Sequence, residues 1–116
     1  MTRPFESAQQ LLKKGQTALC LFTDGKHLEF NGDGSGSTGH WIINPKRKID
    51  QVIIYQQSDG QATVFIAEPD GYYPTKEGRY TLNLLRIEEV GTTNRSWKEF
   101  AAIGQNPVRY LIKKII

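Results

Sequence analysis

The segment IDQVIIYQQSDGQATVFIAE, residues 49–68, carries the strongest structural signal in the chain. Two runs rich in β-branched and aromatic residues flank a Ser-Asp-Gly sequence at 58–60, which is typical of a tight turn. The segment therefore predicts an antiparallel hairpin. Its first run, VIIY at 52–55, has no polar residue, and this predicts a central strand that is covered on both faces.

Further strands are predicted on both sides of this hairpin. They cover residues 17–22, 27–30, 40–44, 79–87 and 108–115. The Asp-Gly pair at 24–25 predicts a hairpin turn between the first two of these strands. In the third, alternation places Trp41 and Ile43 on one face and His40 and Ile42 on the other. A shift of the apolar positions near Leu85 predicts a bulge in the fourth.

Two short helices complete the predicted order. Residues 4–14 have apolar side chains at helical spacing, and Ser96-Trp97-Lys98-Glu99 is a capping box that predicts a helix over 97–103. The order predicts an α+β fold that is predominantly antiparallel β. We expect a small, five- to seven-stranded, barrel-like sheet, with one helix at the N-terminus and one before the last strand. Closure into a barrel would remove the sheet edges.

Composition limits the class of protein. A chain of 116 residues is expected to form a single domain, 1–116, and 38% hydrophobic with 23% charged residues is ordinary for a globular protein. The net charge of +3 suits a phosphate-bearing partner but is also common in proteins that have no such partner.

Cys20 is the only cysteine and is predicted to be a buried thiol. With no membrane-spanning apolar stretch and no signal peptide, we expect a cytoplasmic protein without a membrane partner.

The glycine-rich run NGDGSGSTG, residues 31–39, resembles two ligand-binding motifs and matches neither. Its G-x-G-x-x-G spacing binds pyrophosphate only where a strand leads into a helix, and here a predicted strand follows. A calcium loop that begins at Asn31 would need a glutamate where Ile42 stands. Two interpretations remain open, a flexible surface loop and a mobile lid over a binding site.

Catalytic and metal-binding motifs give no prediction of a reaction. One cysteine and two histidines, His27 and His40, do not make a structural zinc site, and no nucleophile elbow or P-loop is present. Asp70 with Glu77 and Arg79 is only a loose match to a nuclease site. We therefore expect no catalytic residues, no metal and no cofactor. An enzyme acting on nucleic acid remains an alternative.

Cations next to tryptophans give the candidate binding site. The candidate ligand-binding residues are His40, Trp41, Lys46, Arg47, Lys48, Arg95, Trp97 and Arg109. Tryptophan rings stack on bases, and lysine and arginine contact phosphates. The two groups would meet if the last strand lay beside the His40 strand. Since both tryptophans occupy periodic apolar positions, a purely structural role in the core is also open.

The order of these segments resembles the PUA-like barrels, the group that holds the EVE, ASCH and YTH domains. The similar features are a Trp-bearing strand, the basic connection KRK, the pair VIIY and TVFIAEP, and the late strand RYTLNL, within residues 38–115. The resemblance implies recognition of RNA, or of a modified or flipped base, in a cage between strands and loops.

The sequence thus predicts a non-enzymatic binding module for nucleic acid or a nucleotide, with a basic, aromatic-lined pocket. The alternative is a small interaction or inhibitory protein of a phage or defence system. Such a protein would bind its protein partner through an exposed apolar patch around Tyr72, Tyr73 and Leu111. The sequence does not fix the oligomeric state.

Overall fold

A computed structural model describes residues 8–24, 28–44, 46–58, 60–76, 78–100 and 108–112. The strands are β1 (Thr17–Thr23), β2 (Leu28–Phe30), β3 (Gly36–Ile42), β4 (Gln51–Ser58), β5 (Gln61–Pro74), β6 (Arg79–Thr93) and β7 (Val108–Ile112). A 3-10 turn, Ala8–Leu11, precedes β1, and one turn of α-helix, α1 (Trp97–Phe100), lies between β6 and β7.

The seven strands form one mixed sheet in the order β2-β3-β6-β5-β4-β1-β7. All neighbouring strands are antiparallel except β1 and β4, which are parallel. The sheet has two edges, β2 and β7, so the predicted barrel is wrong. The predicted α+β class is also wrong, because the described residues are mostly strand and their helical structure is limited to single turns. Residues 4–7 and 101–103 of the predicted helices lie outside the described residues.

The predicted hairpin between the first two strands is also wrong. β1 pairs with β4 and β7, whereas β2 pairs with β3. The reason is burial: residues 18–21 of β1 are fully buried, so this strand lies inside the sheet, where both of its faces are covered. In β2, Glu29 and Phe30 are exposed, which suits an edge strand.

Two apolar cores lie on opposite faces of the sheet, because successive side chains of a strand point to opposite sides. Core A contains Ala8, Leu12, Ala18, Cys20, Ile53, Tyr55, Ala62, Val64, Trp97, Phe100 and Leu111. Core B contains Leu19, Leu21, Trp41, Ile43, Val52, Ile54, Phe65, Ala67, Leu82, Leu84 and Val108. The central, two-sided strand predicted at 52–55 and the burial of Cys20 are thereby confirmed.

The β5–β6 hairpin is long and bent. Its register shifts three times, between Val64 and Phe65, between Ile66 and Glu68, and at 69–72. Such bulges bend strands and increase their twist. The start of β6 and its neighbour β3 therefore cover core B. The segment after β3 reaches the opposite edge strand, where the Asn44 N–H donates to Tyr110 Oη over 2.9 Å.

Candidate functional site

We call the side of β3, β5 and β6 that faces away from core B the outer face. The candidate site lies on this outer face. Tyr73 of β5 is opposite Thr81 of β6, and Arg79 of β6 is opposite Ile42 of β3. Directly opposed residues and alternate residues share a face, so these four side chains point the same way. Tyr73 is 54% and Ile42 64% exposed. The outer face thus presents an aromatic ring and an aliphatic side chain to solvent.

A bulge in β3 brings His40 to this face. Thr38 pairs with Leu82 and Trp41 with Tyr80, so β3 has one more residue than β6 in this interval. The backbone of Gly39 lies against Thr81, where the Cβ of any other residue would be 3.2 Å from the Thr81 Cα. The Arg79 Nη1 donates to the His40 carbonyl oxygen over 3.1 Å. His40 and Arg79 are therefore held side by side.

A cleft of about 610 Å³ opens beside these residues, and its described walls include His40, Thr75, Lys76 and Arg79. The β5–β6 turn fixes their backbone: the Thr75 N–H donates to the Arg79 oxygen (2.8 Å) and the Arg79 N–H to the Lys76 oxygen (2.9 Å). Lysine and arginine are cationic donors of the kind that contact phosphate. The chemistry of this cleft therefore favours an anion.

The basic loop after β3 has a defined conformation. The Lys46 N–H donates to the Asn44 side-chain oxygen (3.0 Å) and the Arg47 N–H to the Asn44 carbonyl (3.1 Å). The Arg47 guanidinium lies 4.2 Å from the centroid of the Tyr110 ring, a cation–π distance. Tyr110 thus anchors the loop through its ring and its hydroxyl.

The loop carries three cations at the surface. Lys46, Arg47 and Lys48 are all exposed, and the 4.0 Å contact of Lys48 with Asp50 is a weak surface ion pair. Lys46 follows Ile42 by four residues, so their Cα atoms are at most about 14 Å apart. Lys46, Arg47 and Lys48 thus lie together in one loop that follows the His40 strand, and Tyr110, which packs against core B, anchors this loop.

The tryptophans are buried. Trp41 is 8% exposed in core B, and its Nε1 donates to Thr38 Oγ1 over 2.9 Å. Trp97 is 9% exposed in core A, with its ring 5.6 Å from that of Tyr55 and 5.8 Å from that of Phe22. Both side chains therefore have the structural role that the sequence left open, and neither ring offers a free face for stacking.

The second predicted group is not brought to the first. Arg95 lies next to Trp97 on the side of core A, where its guanidinium contacts Glu99 at 3.5 Å and its carbonyl accepts a hydrogen bond from Tyr55 Oη. Cores A and B occupy opposite faces of β1 and β4, which separates these residues from Trp41. Arg109 pairs with Cys20 in the sheet, and its side chain lies outside the described part of the structure.

Sequence reasoning did not include Tyr73 or Lys76 in the binding site, because no strand was predicted over residues 69–78, and it considered Arg79 only for the loose match to a nuclease site. β5 instead continues to Pro74 through a bulge at Gly71, whose φ is 116°. The Tyr72-Tyr73 pair could have indicated the longer strand. Adjacent residues of a strand point to opposite faces, so one tyrosine of such a pair packs on the core and the other faces solvent. Tyr72 packs against core B, and burial, with a smaller effect of Tyr110, raises its pKa.

The apolar patch expected for a protein partner is not formed as predicted. Tyr73 is exposed, Tyr72 is half-buried, and Leu111 is buried in core A.

The glycine-rich run has defined contacts. The Asn31 N–H donates to the Ser35 oxygen and the Ile87 N–H to the Gly34 oxygen, each over 2.9 Å. Residues 31–35 therefore form a hydrogen-bonded turn, and β3 begins at Gly36.

The described residues contain no group of three or more His, Cys, Asp or Glu side chains arranged to hold a metal ion. They also include no helix with the length and apolar character needed to cross a membrane.

Comparison of the chain with protein-family models, curated proteins and solved structures finds no match. The resemblance to PUA-like barrels therefore stays a prediction.

Proposed function

We propose that this chain is a non-enzymatic binding module for single-stranded nucleic acid and that the outer face is its contact surface. The observation that carries the proposal is the exposed ring of Tyr73 on the same face as Arg79, which lines the cleft with His40 and Lys76. Proteins that bind single strands combine aromatic rings, which stack on bases, with cations, which follow the backbone.

Each residue has a role that its position allows. Tyr73 stacks on a base, and Ile42, which is opposite Arg79 on β3, adds apolar surface on the same face. Arg79 and Lys76 contact phosphates in the cleft, and His40 donates to a base edge or a phosphate. Stacking on an aromatic ring contributes about 1–3 kcal/mol per base.

The spread of charge favours a strand over a single nucleotide. A lone nucleotide would occupy the cleft and leave the basic loop at 46–48 without a function. A polynucleotide would pass from the cleft to Lys46, Arg47 and Lys48, where further phosphates would bind. Since the bases of a single strand are not paired, their faces are free to stack on the exposed ring.

The test is fluorescence anisotropy with labelled single-stranded DNA and RNA over a series of salt concentrations. The logarithm of the affinity should fall linearly with that of the salt concentration, with a slope of about −0.7 per phosphate contact. Tyr73→Ala should weaken binding by about 5- to 150-fold, which corresponds to one lost stacking contact. Tyr73→Phe keeps the ring and should bind like the wild type.

Arg79→Ala should weaken binding and reduce the salt slope by about 0.7. Arg95→Ala is the matched control, because it removes the same charge from a residue that does not line the cleft and contacts Glu99 instead, and it should leave the affinity unchanged. The proposal is wrong if no oligonucleotide binds at low salt, or if the two arginine variants lose affinity equally.

A further inference from the structure

A second cleft, of about 230 Å³, lies between the turn at 31–35 and β6. Its lining includes Phe30, Phe65, Ile87 and Glu89, together with Gly32, Gly34 and Ser35. Ile87 lies eight positions after Arg79 of the outer face, a separation of about 26 Å along an extended strand. The proposed nucleic-acid surface does not use this cleft.

Two aromatic rings form adjacent walls of the cleft. The rings of Phe30 and Phe65 have centroids 5.2 Å apart and planes inclined by 48°. Phe65 is buried in core B and gives a fixed wall, whereas Phe30 is 48% exposed on the edge strand β2. A guest in the cleft would therefore contact two rings.

The turn keeps the cleft open. A Cβ built on Gly32 or Gly34 would meet no atom within 4 Å, so there is free space beside both residues. The hydrogen bond from the Ile87 N–H to the Gly34 oxygen fixes the turn to β6, and hydrogen bonds to Asp33 from the Ser35 N–H and hydroxyl hold its shape.

Glu89 adds a negative charge to these walls. No hydrogen bond or ion pair engages its side chain among the residues that the structure describes. The Asp33 carboxylate, by contrast, accepts both hydrogen bonds from Ser35. The Glu89 carboxylate therefore remains available to a cationic guest next to the two rings.

We propose that this cleft binds a methylated ammonium group. A cation over an aromatic ring is attracted by the negative face of the ring, and quaternary ammonium ions bind in this way between aromatic side chains. Methyl groups also suit the apolar walls of Ile87 and the two phenylalanines, whereas a bare ammonium is strongly hydrated. The volume equals that of about eight water molecules, which suits a small head group.

The first experiment is a titration of the full chain, followed by NMR, with choline and with its neutral isostere 3,3-dimethylbutan-1-ol. Choline should shift the backbone resonances of residues 30–35 and 87–89 in a saturable way, and the isostere should bind more weakly. A second arm compares a trimethyllysine peptide with its unmethylated form. Tighter binding of choline than of the methylated peptide identifies a free small molecule as the source, and the reverse identifies a protein side chain.

Variants then test the walls. Phe30→Leu and Glu89→Gln should each weaken choline binding. Phe30→Leu removes one aromatic ring and should weaken it by about two- to thirty-fold. Glu88→Gln is the matched control, because Glu88 is the strand neighbour of Glu89 and points to the opposite side. Tyr73→Ala should leave choline binding unchanged, which separates this site from the outer face.

Three outcomes would each overturn the proposal. The first is the absence of saturable binding by choline and by the methylated peptide. The second is equal affinity for choline and its neutral isostere, since this would show that the positive charge has no role. The third is equal loss of affinity in Glu88→Gln and Glu89→Gln, since this would indicate a diffuse electrostatic effect.

Discussion

Gly39 is a residue whose lack of a side chain shapes the outer face. It lies in the β3 bulge against Thr81, where an added Cβ would approach the Thr81 Oγ1 to 2.5 Å and the Thr81 Cα to 3.2 Å. The hydroxyl of Thr81 can rotate away, but its Cα is part of β6 and is fixed by the sheet. A larger residue at Gly39 must therefore push β3 away from β6.

We expect Gly39→Ala to lower the free energy of unfolding by about 1–3 kcal/mol, the usual cost of overpacking. Urea unfolding followed by circular dichroism measures the change. Ser37→Ala, two residues earlier in the same strand, is the control and should change stability by less than about 0.5 kcal/mol. Equal stability of Gly39→Ala and the wild type would show that the strands tolerate the added methyl group.

Arg86 is a second residue with an unusual backbone. Its φ is 51°, in the left-handed region, at the register shift of β6 between Ile66 and Glu68 of β5. The bulge that the sequence predicted near Leu85 is thus confirmed. A side chain in this conformation costs about 1–2 kcal/mol relative to glycine.

Arg86→Gly should therefore leave stability unchanged or raise it, even though it removes the exposed ion pair with Glu68 (2.5 Å), which contributes under about 1 kcal/mol. Glu88→Gly, at an ordinary strand position nearby, should instead lower stability by about 0.5–1 kcal/mol. Thermal unfolding of both variants provides the measurement. The explanation fails if Arg86→Gly is the more destabilising of the two.

Among the elements, α1 has the start that the sequence predicted. The Ser96 N–H donates to the Glu99 carboxylate over 3.2 Å, and the Glu99 N–H donates to the Ser96 hydroxyl over 3.3 Å, which confirms the capping box. The hydrogen bond from the Ser96 backbone, followed by that from its hydroxyl, lowers the pKa of Glu99. Tyr55 then fixes this region to β4 by donating its hydroxyl to the Arg95 oxygen over 2.7 Å.

This lowered pKa predicts a pH dependence. A carboxyl whose pKa is lower in the folded state contributes stability above its unfolded pKa and loses it as the pH falls through the folded value. The difference in unfolding free energy between the wild type and Glu99→Ala should therefore be larger at neutral pH than in acid. Urea unfolding at both pH values tests this, with Glu88→Ala as the control, and a difference that grows in acid would contradict it.

Elements with local signals could be predicted from the sequence, and those decided by distant contacts could not. The hairpin at 49–68, the alternation at 40–44 and the capping box depend on neighbours in the chain, and all three are present. The Asp-Gly pair after β1 is an equally strong local signal, but β1 is apolar on both faces. Its burial between β4 and β7 outweighs the turn preference, and no local pattern contains that information.

At the scale of the whole molecule, the candidate site depends on strand order. The sequence grouped His40 with the cations at 46–48 because they follow each other in the chain, and their joint role in binding stays a prediction. It did not show that Trp41 and Trp97 enter different cores, or that Arg79 pairs opposite Ile42. These facts follow from pairings between residues far apart in the chain, and periodicity does not encode them.

The two tryptophans make the cooperativity of the molecule measurable. The chain has only two, with Trp41 in core B and Trp97 in core A. Since β1 and β4 supply side chains to both cores, neither core is expected to unfold alone. The variants Trp41→Phe and Trp97→Phe each leave one fluorescent reporter, and in each variant its urea transition should coincide with that of the circular dichroism signal. A fluorescence midpoint separated from that of the sheet would show two independent units.

The pairing of β1 with β7 has a consequence for the connectivity of the chain. Thr17, at the start of β1, is directly opposite Ile112, at the end of β7, and Cα atoms in such pairs are about 4.5–5.5 Å apart. Because these two strand ends are close, a short connection could join them, and the chain could then begin and end elsewhere in the same sheet. A circular permutant that keeps Ala8 and Leu12 of core A, joins the segment before β1 to the end of β7 by a linker and opens the chain at Gly60, in the β4–β5 turn, should form the same seven-stranded sheet. Its circular dichroism spectrum should match that of the parent, and a largely unfolded permutant would show that the β4–β5 connection must stay intact for folding.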